Sequence, residues 1–491
     1  MELDRITEQQ DRSATFELIR ELADPGVGEP ERWEIVYALA QVKDPRAVVP
    51  LGRIGLDLDR PVEVRRAALR ALEDSEMFPE GAELRAWWEN GDDVVRASVL
   101  REAARGEADL LEPVLRDPNH VLHRYALIGI GATFEEPHWQ QYSIAALDHP
   151  DPAIRRTVAY QLGWDEPVAA EPGLHRAATE SNTEVACAAI DSLRYYSSRA
   201  TLRLLHELAR GDDARADAAR DAAAGLLSDF EDHRSGLEQW LEPVADLLGP
   251  TVPDAAPTPG QPAPRWSKPA APSSAEIFAM YSDPDGPWQP KLAALHSGHP
   301  HHDHWSEIPA ADRSALAAFL SGHPDPQVRS GCCRALSSWN EVDALLTLTQ
   351  DPHEVVRKSA VYDLRFVRPS PEIATLTWDL ILSGEVASTR GREALATCAA
   401  HTPPGELDDR LIELARNDLR ESVRVEAVRL LGDHIEPLLP LLAEPPLLTW
   451  AVHTHVLYGC QASGHTPPAA NALRGVDNLH MAAALASLAD R

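Results

Sequence analysis

A pattern of the form Asp-Pro-x-(x)-Val-Arg-x-x-Ala-x-x-x-Leu recurs along this 491-residue chain. It stands at Asp151-Pro152-Ala153-Ile154-Arg155, Asp325-Pro326-Gln327-Val328-Arg329 and Asp351-Pro352-His353-Glu354-Val355-Val356-Arg357. Degenerate copies run from Asp59 to Leu72, Asp92 to Leu100, Asp117 to Ile130 and Asp418 to Leu431. In the first half the anchor arginines at 65, 96, 124, 155 and 215, with Ala186 in one slot, follow at intervals of 31, 28, 31, 31 and 29 residues. A fixed period of this length marks a repeat architecture, here one helical hairpin per interval.

The chemistry of the pattern explains the hairpin. Proline lacks a backbone donor and restricts the residue before it, while aspartate suits an N-cap, so the Asp-Pro step ends one helix and starts the next. In Val64 to Glu73 the apolar Val64, Ala68, Ala71 and Leu72 share one side of a 3.6-residue wheel, with Arg66, Arg70 and Glu73 opposite. Less regular segments between these helices, Arg46 to Gly55, Glu80 to Glu89, Thr201 to Arg210 and Leu407 to Arg416, fit the outer helix of each pair. Neither helix alone buries its apolar stripe, and stacking supplies a shared core. The expected fold is all-α, an α-solenoid of stacked helical hairpins.

The pattern resembles the HEAT repeat, in the short variety of phycobilin lyase subunits, over about residues 30 to 248 and 309 to 463. It weakens at 167 to 197 and 371 to 400, where Ala186 and Ser388 replace the expected arginine. The resemblance implies a ladder between adjacent repeats, with structural and not catalytic roles for Asp151, Arg155, Asp325, Arg329, Asp351 and Arg357. Deoxyhypusine hydroxylase, a related repeat enzyme, needs repeated His-Glu pairs, and this chain has only His206-Glu207 and His353-Glu354. HEAT-like DNA glycosylases line their groove with basic residues, which the charge of this chain opposes.

The 26-residue stretch Gly249 to Ser274 carries eight prolines. Such composition favours extended, solvated backbone, so the expected division is an N-terminal array (1–248), a proline-rich linker (249–274) and a C-terminal array with a His-rich capping segment (275–491). There are 77 acidic and 46 basic residues, 48 against 27 within residues 1–248 and 28 against 17 within 275–491. A net charge of −31 repels a phosphate backbone, so nucleic acid is not the expected partner. It fits host composition and an acidic neutralising partner of a basic protein equally. Five cysteines without framework spacing, no leader-like apolar stretch and no run of 18 apolar residues lead to the expectation of a cytoplasmic protein with no membrane contact.

No phosphate loop, Gly-x-Ser-x-Gly elbow, His-Glu-x-x-His or Cys-x-x-Cys is present, and no residue is assigned a catalytic role. The one dense set of possible metal ligands is His296, His299, His301, His302, Asp303 and His304. Imidazoles of this kind suit zinc, nickel or copper, with His299, His301, His302 and His304 the candidate ligands, yet an irregular exposed loop explains the cluster equally. His453, His455, Cys460 and His465 form a weaker constellation. No cofactor is otherwise expected.

Position five after each anchor points away from the apolar stripe and reads Arg70, Arg101, Gly129, Tyr160, Asp191, Arg220, Arg334, Tyr362 and Arg429. Arg66, Arg156 and Lys358 lie one turn earlier. Arginine and tyrosine combine large contact area with a directional polar end, as interfaces favour. A solvated, salt-bridged face is the competing explanation. Trp87 and Trp88, adjacent on one helix, cannot both be fully buried. The leading expectation is a non-enzymatic scaffold or adaptor that holds a protein or peptide partner on these inner helices, with Arg66, Arg70, Arg101, Arg156, Tyr160, Arg220, Arg334, Tyr362 and Arg429 as contacts. The alternative is a catalytic or cofactor-handling repeat protein, lyase-like or using zinc at the His-rich loop. Oligomeric state is not legible in the sequence.

Overall fold

The computed structural model describes residues 3–103, 107–131, 137–228, 273–285, 287–288, 305, 308–383, 388–432, 434–447, 449–463 and 477–489. Among them the regular elements are helices, and the one β-type pairing is an isolated antiparallel bridge between Asp11 and Pro287. The chain is an all-α solenoid of HEAT-like hairpins.

Helices begin where the pattern places them. The Asp151 and Asp325 carboxylates accept from the Ala153 and Gln327 amides at 2.8 Å, each with proline at the first helical position, starting Pro152–Asp165 and Pro326–Trp339. Where Asp-Pro is missing, Asn182 takes over, accepting from Glu184 and Val185 to start Thr183–Leu193. The expected outer helices appear as Val48–Leu56, Gly81–Asn90, Arg199–Leu208 and Asp408–Asn417. In Val62–Asp74 the predicted stripe of Val64, Ala68, Ala71 and Leu72 is buried. Glu73, placed on the solvent side by the wheel, is buried as well, because Arg101 of the next repeat closes over it.

Successive inner helices pack closely through small residues. Ser192 donates to the Ala159 carbonyl at 2.6 Å, and a Cβ on Gly163 would come within 2.9 Å of the Ser192 Cα. Only glycine fits there without moving a helix.

The compact units do not follow the two arrays. Unit 1 comprises Met1–Leu110, Arg265–Val386 and Ala396–Thr402; unit 2 comprises Leu111–Pro264, Ala387–Leu395 and Pro403–Arg491. Each unit therefore draws repeats from both sides of the proline-rich stretch, of which residues 249–272 lie outside the described ones. In unit 1 the N-terminal Arg12 is buried, stacks at 3.5 Å over the Trp288 ring and pairs with Asp325.

The ladder is real but its partners are set by space. Arg329 and Asp351 form a buried two-bond rung at 2.6 and 2.9 Å, and Arg65 reaches Asp92 in the same way at 2.7 and 2.8 Å. Arg155 instead meets Glu180, since the next repeat is capped by Asn182 and offers no aspartate at that position. Arg357 finds no aspartate one repeat on and pairs with Glu354 of its own helix and with Glu80. Asp325 takes its arginine from position 12, not from the preceding repeat.

Candidate functional site

The inner helices carry two kinds of exposed side chain, and the structure treats them differently. Most arginines of the predicted contact row are neutralised. Arg70 bonds Asp74, Arg101 grips Glu73, Arg156 meets Glu184 at 2.7 Å and Arg334 lies 3.6 Å from Asp363. Arg429 pairs with Glu426 at 3.2 Å. Arg220 turns back to the Ala209 carbonyl and to Asp217, completing the end of the preceding helix. Arg66 is exposed.

The aromatic positions stay open. Tyr160 is 55% and Trp164, one turn on, 65% exposed, their rings meeting edge to face at 6.1 Å, and Tyr195 of the next inner helix stacks on Trp164 at 6.2 Å. In unit 1, Tyr362 and Phe366 repeat this spacing, but Arg365 lies 3.9 Å over Tyr362 and Arg334 4.4 Å over Phe366. Trp33 and Tyr37 on Glu29–Val42 are also exposed. Sequence reasoning missed these last two because Arg32 was not recognised as an anchor. It is buried, 33 residues before Arg65, and donates to the Val27 and Asp24 carbonyls. Counted from Arg32, Trp33 and Tyr37 take positions one and five; Trp164 and Phe366 are position nine after their own anchors. As expected of the adjacent tryptophans, Trp87 is buried, edge to face on Phe78 at 5.3 Å, while Trp88 stays half-buried.

Within unit 2 the Trp164 face opens into a cleft of about 460 Å³. Its walls are Trp164 and Glu166 at the end of Pro152–Asp165, the Tyr196–Ser198 turn, Glu426 and Arg429 of Glu421–Leu431, and Trp450 and His455 at Ala451–Ser463. The Asp477–Asn478 side of the cleft is fixed to the Ser197–Arg199 segment by two bonds: the Leu479 amide donates to the Ser197 carbonyl, and the Arg199 amide donates to the Asp477 carboxylate, both at 2.7 Å. Glu166 ends its helix in the left-handed region at φ 49°, a costly conformation for a residue with a Cβ. A second cleft, of about 400 Å³, lies within unit 1 beside Glu80, Glu354 and Arg357, with Phe78 and Leu84 as its apolar floor.

The carboxylates of the unit 2 cleft are held partly by arginines, Glu426 by Arg429 and Glu421 by Arg424, and partly by neutral donors. Glu171 Oε1 accepts from Thr201 at 2.6 Å and from Ser198; Glu421 accepts from Thr449 at 2.9 Å. His175 approaches Glu171 at 3.6 Å, and burial lowers its pKa below the usual imidazole value despite the raising effect of that carboxylate.

Among the described residues no group of three or more His, Cys, Asp or Glu side chains is disposed to hold a metal. His299, His301, His302 and His304 lie outside the described residues, as does His465. His453 is buried against the Glu444 carbonyl, His455 bonds the Ala451 carbonyl, and Cys460 is buried, so the second histidine constellation is committed to helix packing. All five cysteines are free thiols. No described helix is long and apolar enough to cross a membrane.

No known family profile matches the chain, and no curated protein does. Solved structures give distant likenesses. Human deoxyhypusine hydroxylase matches at 18% identity over 55% of this chain and 98% of its own, with a TM-score of 0.22. Kap121p matches at 14% identity over 98% of this chain, which spans about half (53%) of Kap121p, with a TM-score of 0.29. The Kap95:Nup1 complex gives 12% identity, 94% and 69% coverage and a TM-score of 0.30. At these values the likeness carries no functional weight. The recurrent Asp-Pro and arginine pattern, together with the capped and laddered hairpins that it builds, makes the chain an all-α solenoid of stacked helical hairpins.

Proposed function

We propose that the protein is a non-enzymatic interaction scaffold whose inner helices grip a protein or peptide partner. One observation carries this reading: an exposed tyrosine recurs at position five after the anchor, Tyr37, Tyr160 and Tyr362, each with a second exposed ring one turn away, Trp33, Trp164 and Phe366. A helix surface needs no large aromatic facing water, whereas interfaces are enriched in such rings. The ion-paired arginines alongside them orient a partner and set its charge preference more than they add affinity. The buried Arg329–Asp351 rung supports the finer kinship with the short repeats of phycobilin lyase subunits, and five free thiols support a reducing, cytoplasmic setting.

The test is partner capture from the native host by the full chain and by a Tyr160→Ala/Trp164→Ala variant, with bound proteins quantified. The scaffold reading expects one or a few proteins retained by the parent and depleted at least fivefold by the variant. Identical recovery from both would move the binding surface off these helices.

A further inference from the structure

In a chain with 77 acidic and 46 basic residues, one patch of unit 1 reverses the balance. The inner helix Pro326–Trp339 contains no acid, and Glu354–Leu364 with the turn to Ser370 contains two, Glu354 and Asp363. The same segments carry six cations, Arg329, Arg334, Arg357, Lys358, Arg365 and Arg368. Two of these serve the ladder: Arg329 is held by Asp351, and Arg357 takes Glu354 at 2.7 Å. Asp363 is then the one acid of these segments beside the other four. Its carboxyl is buried, lies 3.6 Å from Arg334 and is pushed up to about 6 by burial, so the fold disfavours its charged form.

A second, independent observation concerns pairing. Among the described residues neither the Lys358 ammonium nor the Arg368 guanidinium makes a hydrogen bond or an ion pair. Lys358 is half-buried at position one after its anchor, one turn before Tyr362 on the same helix face, with Phe366 following in the turn. Arg368 is exposed, and its amide donates to Asn340 Oδ1 at 3.1 Å, fixing this turn against the end of the preceding inner helix. Arg334 and Arg365 both lie over Phe366, at 4.4 and 4.9 Å from its centroid. Cations gathered this closely repel one another, and an anion among them relieves the repulsion.

We infer that this face of unit 1 receives an acidic segment of the partner, whose carboxylates meet Lys358, Arg368 and the ring-borne guanidiniums while its flanking side chains lie on Tyr362 and Phe366. The inference rests on the scaffold reading and names the charge of what one part of that surface holds. A guanidinium lying over a ring is positioned before a ligand arrives, and its fork of donors matches a carboxylate, so stacking and carboxylate binding coexist. The charge of the whole chain opposes a long polyanion such as nucleic acid, whereas the local cations act on a short segment within the screening length of about 8 Å.

The test is fluorescence anisotropy with the full chain and two labelled ten-residue peptides, identical except for three positions that are glutamate or glutamine. The glutamate peptide is expected to bind at least tenfold more tightly. Lys358→Gln with Arg368→Gln weakens it at least fivefold, while Lys358→Arg with Arg368→Lys, which keeps the charges, stays within about twofold. Arg368→Gln alone, on an exposed side chain, reads a loss of at least twofold should the double variant lose helical content. Arg53→Gln with Arg203→Gln makes the same change of net charge on exposed side chains of the outer helices Val48–Leu56 and Arg199–Leu208 and leaves binding unchanged. Equal binding of the two peptides, equal losses in the patch and control variants, or displacement of the glutamate peptide by an equal concentration of a ten-nucleotide single-stranded DNA would overturn the inference. So would a concentration-dependent dimer in sedimentation that the double variant dissolves, since that assigns the patch to a second copy. If Tyr160→Ala/Trp164→Ala abolishes partner capture while the two peptides bind alike, the scaffold reading stands and this inference falls. If the glutamate preference holds and capture survives both that variant and Lys358→Gln with Arg368→Gln, the patch binds acidic segments and the scaffold reading falls.

Discussion

The two units carry the same repeat but treat the rings on its inner helices differently. In unit 1, Tyr362 and Phe366 lie beneath the guanidinium groups of Arg365 and Arg334. In unit 2, Trp164 opens toward Glu166 and Glu426. In unit 1 guanidinium groups lie over both rings of the pair, whereas in unit 2 Arg194 lies over Tyr195, at 5.3 Å, beside Trp164. The contrast separates rings that the fold covers with its own arginines from rings that it leaves facing water, and each side of it can be attacked by substitution.

The largest expected effect is on the ladder. Arg329→Ala leaves Asp351 buried without its cation, at a cost of about 3–5 kcal/mol, whereas Arg155→Ala removes a half-buried rung, its side chains 18% and 23% exposed, at a smaller cost of about 1–2 kcal/mol. Urea unfolding of the full chain, with hydrogen exchange resolved over 326–339 and 152–165, reads both; equal losses would mean the rungs do not differ in burial as described. Next comes Arg101→Glu. It sets a second carboxylate against the buried Glu73, so a loss of about 2–3 kcal/mol is expected, measured by thermal unfolding. Arg66→Glu, on an exposed side chain, stays within ~0.5 kcal/mol.

A subtler contrast is pH-dependent. Burial pushes the Asp363 carboxyl up to about 6 from the ordinary 3.8, against the pull of Arg334 and Arg365. A pKa raised on folding gives stability that is full below about pH 4 and lost as pH rises through about 6. Asp363→Asn is therefore expected to stabilise unit 1 at pH 7 by on the order of 2 kcal/mol, an advantage that shrinks toward pH 4. An advantage independent of pH would show that Asp363 does not titrate in this window. The smallest structural effect belongs to Tyr160→Ala with Trp164→Ala, within about 0.5 kcal/mol per site, since these rings face water. A larger loss in thermal unfolding would make them packing residues and weaken the scaffold reading.

Helix starts were legible because capping is local: an aspartate and a proline decide within two residues where backbone donors go. The ladder partners were not, since an arginine takes whichever carboxylate lies nearest, Glu180 for Arg155 and Asp325 for Arg12. The neutralisation of the arginine row, the competing explanation of that face, was legible in the spacing of its carboxylates. Glu73 precedes Arg101 by 28 residues, Glu184 follows Arg156 by 28 and Asp363 follows Arg334 by 29; those separations are the repeat period itself, so each carboxylate stands beside its arginine on the neighbouring hairpin. The unit 2 cleft was beyond sequence reading, because its walls come from segments more than 250 residues apart.

The pairing of Arg12 with Asp325 also imposes an order on the making of the protein. The two residues are 313 positions apart, and both are buried in unit 1. At a synthesis rate of roughly 5–20 residues per second, the amino-terminal segment waits on the order of fifteen seconds to a minute for its counter-ion to leave the ribosome. Throughout that interval Arg12 has no buried carboxylate from position 325 to meet, and the Trp288 ring that it stacks on is also made late. Unit 2, whose first segment begins at Leu111, likewise needs late-made helices. The nascent chain therefore emerges as two half-built bodies, with completion deferred until translation is well past its midpoint.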